Sequence, residues 1–163
     1  MSDLYDTDIV AWAERQAKAL RRRADNEIDW DNVAEEIEDL AASRKREVRA
    51  WLRRICEHLL KWEHHQRTQP DDNYPIPGRR DELTEFRLQL TELLEESPSL
   101  RRGADEALPR QFAQARQSLE RKMGASLVLR DDNGLWSLDQ VLSLDFMPDG
   151  PDYLPAAAGL PQA

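Results

Sequence analysis

At 163 residues the chain suits one domain with a real core and leaves no length for a second of comparable size. Hydrophobic residues make up 40%, charged residues 34%, and the formal net charge is −9. That balance describes a globular protein with a heavily solvated surface and argues against nucleic acid or an anionic membrane as the default partner.

The opening MSDLYDTDI is acidic and lacks an apolar h-region, so no secretory signal is read there. No apolar run approaches the ~18 residues of a membrane span. The single cysteine, Cys56, has no intramolecular partner for a disulfide and cannot build a thiolate cage, and a reducing cytoplasm is the expected home.

The first helix is predicted from about Asp8 to Arg23, capped by Asp6 or Thr7, with Ile9, Trp12, Ala13, Gln16 and Leu20 at helical spacing. Asp25 to Asp29 reads as a connector. Asp29 or Asp31 caps a second, acidic helix whose Trp30, Val33, Ile37 and Leu40 share one face. A third, basic helix sets Val48, Trp51, Leu52, Ile55, Leu59 and Trp62 on one stripe at about 100° per residue. The break between these two falls near Ser43, an N-cap residue. Ala41 and Ala42 are good helix formers, however, and no Gly or Pro enforces the stop. One unbroken helix of more than ~30 residues is the alternative, unusual in so small a domain.

The stretch TQPDDNYPIPG, 68–78, is a loop on its prolines, glycine and Asp-Asp-Asn run. A fourth helix is expected over about Arg80 to Glu96, with Leu83, Phe86, Leu90, Leu93 and Leu94 apolar. Ser97-Pro98 starts a fifth that keeps its period to Gly124, with a kink or restart near Ala107 imposed by Pro109. Ser126 to Arg130 is briefly extended, Asp131 to Gly134 turns, and Ser137 with Gln140 forms a capping box for a short last helix to about Leu144. The sequence thus predicts an all-α fold: an irregular bundle of about five helices plus a short C-terminal helix, centred on an antiparallel hairpin of helices two and three. One domain covers 1–147, and 148–163 is a Pro/Gly/Ala-rich mobile tail, docked at most by Tyr153 or Leu154. The main core is expected at Val33, Ile37, Leu40, Leu52, Ile55, Leu59, Trp62, Leu90 and Leu94.

Several motifs in this order resemble a bacterial family known as domain of unknown function 29. The residues that carry it are Tyr5-Asp6 with Trp12, Trp30 with Glu35-Glu36-Ile37-Glu38 and Leu40, His58-Leu59-Leu60-Lys61-Trp62, Ser97-Pro98-Ser99-Leu100, and Trp136 with Gln140-Val141-Leu142 and Phe146. Together they cover about Leu4 to Phe146. The resemblance implies an all-helical fold and brings no activity, cofactor or catalytic residue to carry over. Ala41 stands where members typically have a glycine, a departure that bears on the break between helices two and three.

For chemistry, the candidate polar site is Glu36, His58, Lys61 and His65. Glu36 and His58 each lie about 90° from the centre of their apolar stripe, so an antiparallel crossing would bring carboxylate and imidazole together. Such a pair can orient the imidazole, raise its pKa or, with His65, contribute to a metal site. A structural bond at the edge of the core is the weightier reading, because paired ionisable groups are so often structural. A metal site is poorly supplied: all three histidines lie between 58 and 65, carboxylates such as Glu36 or Glu92 would have to complete it, and no His-Glu-x-x-His or Glu-x-x-His exists. His64 points away from the stripe, towards solvent.

The basic cluster Arg44, Lys45, Arg46, Arg49, Arg53 and Arg54 could touch phosphates, but neutralisation by the acidic residues from Asp25 to Asp39 across a hairpin, or simple solvation, is the stronger expectation. Cys56 reads as a buried small hydrophobe, since His58 points about 160° away from it. Most tryptophans belong to the core, with Trp51 toward the edge of its stripe. No serine-nucleophile motif or Gly-rich phosphate loop is present. The expectation is therefore a cytoplasmic, non-enzymatic protein-interaction or regulatory module with an unidentified protein partner, no membrane, no cofactor and no metal. Nucleic acid is disfavoured and homo-oligomerisation left open. The alternative is a metal-binding or catalytic bundle using the Glu/His site.

Overall fold

A computed structural model describes residues 3–69, 79–129 and 136–148. Of the expected loop at 68–78, Thr68 belongs to a helix instead, and 70–78 lie outside the described residues, as do the turn at 131–134 and the tail beyond 148. Six α-helices follow in order: α1 Asp3–Thr7, α2 Ile9–Arg22, α3 Trp30–Thr68, α4 Arg79–Glu96, α5 Pro98–Met123 and α6 Leu138–Leu142, with a 3-10 turn at Asp25–Glu27 before α3. The fold is all-α, and no strand occurs among the described residues.

Local signals set most boundaries. Asp8, rather than Asp6 or Thr7, caps α2, its Oδ1 accepting from the Ala11 N–H at 3.0 Å. Arg23 ends α2 in the left-handed region at φ 54°, where its N–H reaches the Leu20 carbonyl at 3.1 Å. Pro98 occupies the first turn of α5, and Gly124 closes it at φ 66°, a conformation that suits a residue without Cβ. The Ser137/Gln140 capping box forms in both directions, at 3.2 and 2.9 Å.

Two expected interruptions are absent. Helix α3 runs unbroken for 39 residues, so helices two and three are one and the central hairpin does not exist. The reason is local: Ala41 and Ala42 favour helix, and a mid-helix serine costs only ~0.5 kcal/mol relative to alanine. Helix α5 likewise passes through Pro109 without restarting. Pro109 and Asp105 are both exposed, so water can serve the carbonyl that the missing N–H leaves behind.

The chain divides into two compact units, Met1–Arg44 and Lys45–Ala163. In the first, Trp12, Gln16 and Ala19 are buried, with the Tyr5 ring edge-on to Trp12 at 4.8 Å. The Gln16 side chain accepts from the Asp29 N–H at 2.9 Å and so ties α2 to the start of α3. In the second unit the core joins the C-terminal half of α3 (Val48, Leu52, Ile55, Cys56, Leu59, Leu60) to α4 (Leu83, Leu90, Leu93, Leu94) and α5 (Leu100, Ala104, Leu108, Phe112, Ala115, Leu119). The segment after α5 lies over them through Leu127, Trp136, Leu138, Val141 and Phe146.

Arg87 holds that segment. Its guanidinium, 1% exposed, donates to the carbonyls of Val141 at 2.9 Å, Phe146 at 2.8 Å and Leu144 at 3.4 Å. Burial pushes it down to about 10, partly opposed by Asp145. At the other end of the segment, Glu120 accepts from the Leu127 N–H and the Arg116 Nε, each at 3.1 Å, and these bonds hold its carboxyl below the usual range.

The predicted core is confirmed at Leu52, Ile55, Leu59, Leu90 and Leu94. It is wrong for the first half of α3: Ile37 and Leu40 are each 64% exposed and Trp30 55%, while Val33 and Trp62 are half-buried. Without a break there is no following helix to fold back over that face.

Candidate functional site

Of the expected polar site, His58, Lys61 and His65 follow one another at spacings of three and four on α3, and Glu36 lies about six turns earlier on the same helix. Glu36 accepts from the Tyr5 hydroxyl at 2.8 Å. That bond, followed by burial and the charges of Glu35, Glu36 and Asp39, pushes the Tyr5 phenol up to about 12. His58 lies several turns further along the same helix, edge-on to Phe86 at 5.2 Å. The anticipated Glu36–His58 pairing depended on a hairpin, and one continuous helix keeps the two on separate turns. Lys61 and His65 are half-buried further along α3.

His64 is half-buried rather than solvent-facing, and its Nδ1 accepts from the Val128 N–H at 2.9 Å. Cys56 is buried, and desolvation with the nearby Glu57 pushes its thiol up to about 12, the opposite of what a nucleophile needs. Among the described residues no group of three or more His, Cys, Asp or Glu is placed to hold a metal ion.

Two surface features emerge instead. The first is the exposed face of the N-terminal half of α3. Trp30, Val33, Ile37 and Leu40 recur at spacings of three, four and three, the seam of a helix that packs against another helix. Asp31, Glu35 and Asp39 fall on the opposite face of α3, and Glu36 lies nearest to the stripe, about 80° from its centre. The spacing was legible in the sequence, but it read as core.

The second feature is a groove of about 410 Å³ between the C-terminal half of α3 and α5, lined by Arg46, Arg49, Arg53, Arg110, Gln111 and Gln114. It continues into an adjoining hollow of about 390 Å³, where Lys45 and Arg49 stand over Val48, Leu100 and Ala107. Among the described residues none of Lys45, Arg46, Arg49, Arg53 and Arg110 makes an ion pair. All five are exposed, so of the two expected readings simple solvation is the one that holds for these side chains. Arg54 behaves differently, its guanidinium lying 5.2 Å from the centroid of Trp51 and 5.8 Å from that of Phe86. Sequence reading found the α3 arginines but missed Arg110, which joins them only because α5 packs alongside.

A family model matches most of the sequence. The model described as Domain of unknown function DUF29 matches residues 4–147. The chain belongs to this family. The DUF29 match takes in both compact units, and with them the exposed α3 face and the arginine groove. No curated protein and no solved structure matches the chain. No helix among the described residues is long and apolar enough to cross a membrane.

Proposed function

We propose that this DUF29 chain is a non-enzymatic, cytosolic protein-interaction module, and that the exposed face of α3 at Trp30, Ile37 and Leu40 is where it docks. The observation that carries the proposal is the exposure of three large apolar side chains at helix-packing spacing. Burying a side chain of this size contributes about 1.5–3 kcal/mol, so three together supply much of the affinity of a specific complex. Aromatic residues are enriched at the centres of interfaces, and Trp30 opens this stripe. Cysteine usage fits a reducing compartment, since Cys56 is the single cysteine of the sequence and has no partner for an intramolecular disulfide.

The test is affinity capture of tagged chain from its own cells, compared with an Ile37→Ser/Leu40→Ser variant. A protein recovered in stoichiometric amount with the native chain and lost from the folded variant supports the docking face. Equal recovery of every co-purifying protein by both chains refutes it.

A further inference from the structure

We propose that the groove between α3 and α5 binds the di- or triphosphate chain of a small molecule. Arg46, Arg49 and Arg53 follow one another at spacings of three and four. They therefore stand in a row along one face of α3, about 10 Å from first to last at the helical rise. Arg110 faces them from α5, and no carboxylate lines the groove. None of the four guanidiniums has an anionic partner among the described residues. Like charges gathered without counter-charge repel, and an incoming anion relieves that cost.

A second, independent observation is Gln111. It is only 5% exposed, yet its side chain makes no hydrogen bond among the described residues. It lines both the groove and the adjoining hollow, so its amide opens onto the place where they meet. A buried amide without a partner is costly, and a phosphate oxygen accepting from its N–H removes that cost. Packing does not account for the residue, because its neighbours on the inner face of α5 are the apolar Leu108, Phe112 and Ala115. Gln114, half-buried on the same wall, adds a second amide one turn on.

The donor set selects a phosphate chain. A planar guanidinium meets a phosphate through two parallel N–H···O bonds, a match that a point charge lacks. One phosphate cannot serve three arginines spread over two turns of helix, whereas a string of two or three can. A volume of about 410 Å³ falls within the range of about 300–1,000 Å³ typical of small-molecule sites. Glu106 lines the adjoining hollow and not the groove, which confines the anion to the arginine side. A nucleic acid is the poorer occupant, since a long polyanion must also pass over the rest of a chain with a net charge of −9.

Isothermal titration calorimetry of the full chain with ATP and, separately, with inorganic triphosphate, both in metal-free buffer, tests the proposal. Saturable binding at one site per chain is expected, with a dissociation constant below ~1 mM that rises with salt. Arg49→Gln/Arg110→Gln changes only exposed side chains and should raise that constant at least ~10-fold. Arg121→Gln/Lys122→Gln removes the same charge from the exposed end of α5, away from the groove, and should leave it within ~2-fold. Gln111→Met should keep or exceed the native thermal stability, because no protein partner is lost, while weakening binding at least ~3-fold.

Tighter binding of ATP than of triphosphate makes the source a nucleotide, and equal or weaker binding makes it a free polyphosphate; both uphold the site. Failure of either ligand to saturate the chain, or equal losses in the two charge variants, overturns it. So does a Gln111→Met chain that is less stable than the native one or binds as tightly. A single-stranded RNA bound more tightly than ATP, and released by Arg49→Gln/Arg110→Gln, overturns it in favour of a nucleic-acid interface. None of these variants alters Trp30, Ile37 or Leu40, so the docking face and the phosphate site fail separately.

Discussion

Replacing Arg87 by methionine should release the segment that closes the second unit. Methionine is close in length and fills most of the volume, so the change is chiefly the loss of three donors. The two short bonds, to Val141 at 2.9 Å and Phe146 at 2.8 Å, carry the effect. The Leu144 bond at 3.4 Å is weak. Hydrogen bonds from a charged donor contribute about 1.5–3 kcal/mol each, so losing two costs ~3–6 kcal/mol. Relief from burying a guanidinium offsets part of that, leaving a net destabilisation of ~2–4 kcal/mol. Urea unfolding followed by circular dichroism measures the total. Hydrogen exchange localises it: the Val141 and Ser143 amides, bonded to the Ser137 and Asp139 carbonyls, should exchange at least ~10-fold faster. Arg87→Lys should fall in between, since one ammonium cannot reproduce the fork across separate carbonyls. Because its folded-state pKa lies near 10, Arg87 is charged in both folded and unfolded chains at neutral pH, and the loss should not vary there. A stability loss under ~0.5 kcal/mol with exchange unchanged would refute the reasoning, because it would show the three carbonyls equally well served by water.

Leu59→Ala, in the core of the second unit, should cost ~2–5 kcal/mol, whereas Leu40→Ala on the exposed face should cost under ~0.5 kcal/mol; comparable losses in denaturant titrations would contradict the assigned burial. The Tyr5 phenol, raised from 10.0 to about 12, keeps its proton in the folded chain where the unfolded chain loses it, so stability should be complete below pH 10 and decline between about pH 10 and 12. Tyr5→Phe should flatten that alkaline decline, and an unchanged slope would separate Tyr5 from it. Glu36, His58, Lys61 and His65 remain a proposal as a polar site with a structural rather than catalytic role. His58→Gln should accordingly preserve the helical circular dichroism signal, and elemental analysis of the native chain should find no stoichiometric zinc, iron or manganese; about one metal per chain, lost in the variant, would revive the catalytic alternative.

The sequence by itself determined the features that are decided within a few residues. Asp8, Ser97-Pro98, Gly124 and the Ser137/Gln140 box begin or end helices through contacts no more than one turn away, and the class of the fold follows from stripes such as Leu52, Ile55 and Leu59. The position of Arg87 was legible too: it interrupts an apolar row one turn after Leu83 and just before Leu90, where a cation stays only if carbonyls meet it. Tertiary structure alone decided what the apolar stripes face. The same spacing lies in the core at Leu59 and on the surface at Ile37, because periodicity records which side of a helix is apolar and not whether anything covers it. A hairpin and a single long helix differ by small local costs at Ala41, Ala42 and Ser43, so no residue there was strong enough to announce the outcome. That choice uncovered Trp30, Ile37 and Leu40, while the packing of α5 beside α3 brought Arg110 to the three arginines of α3 and gave the chain its two unpartnered surfaces.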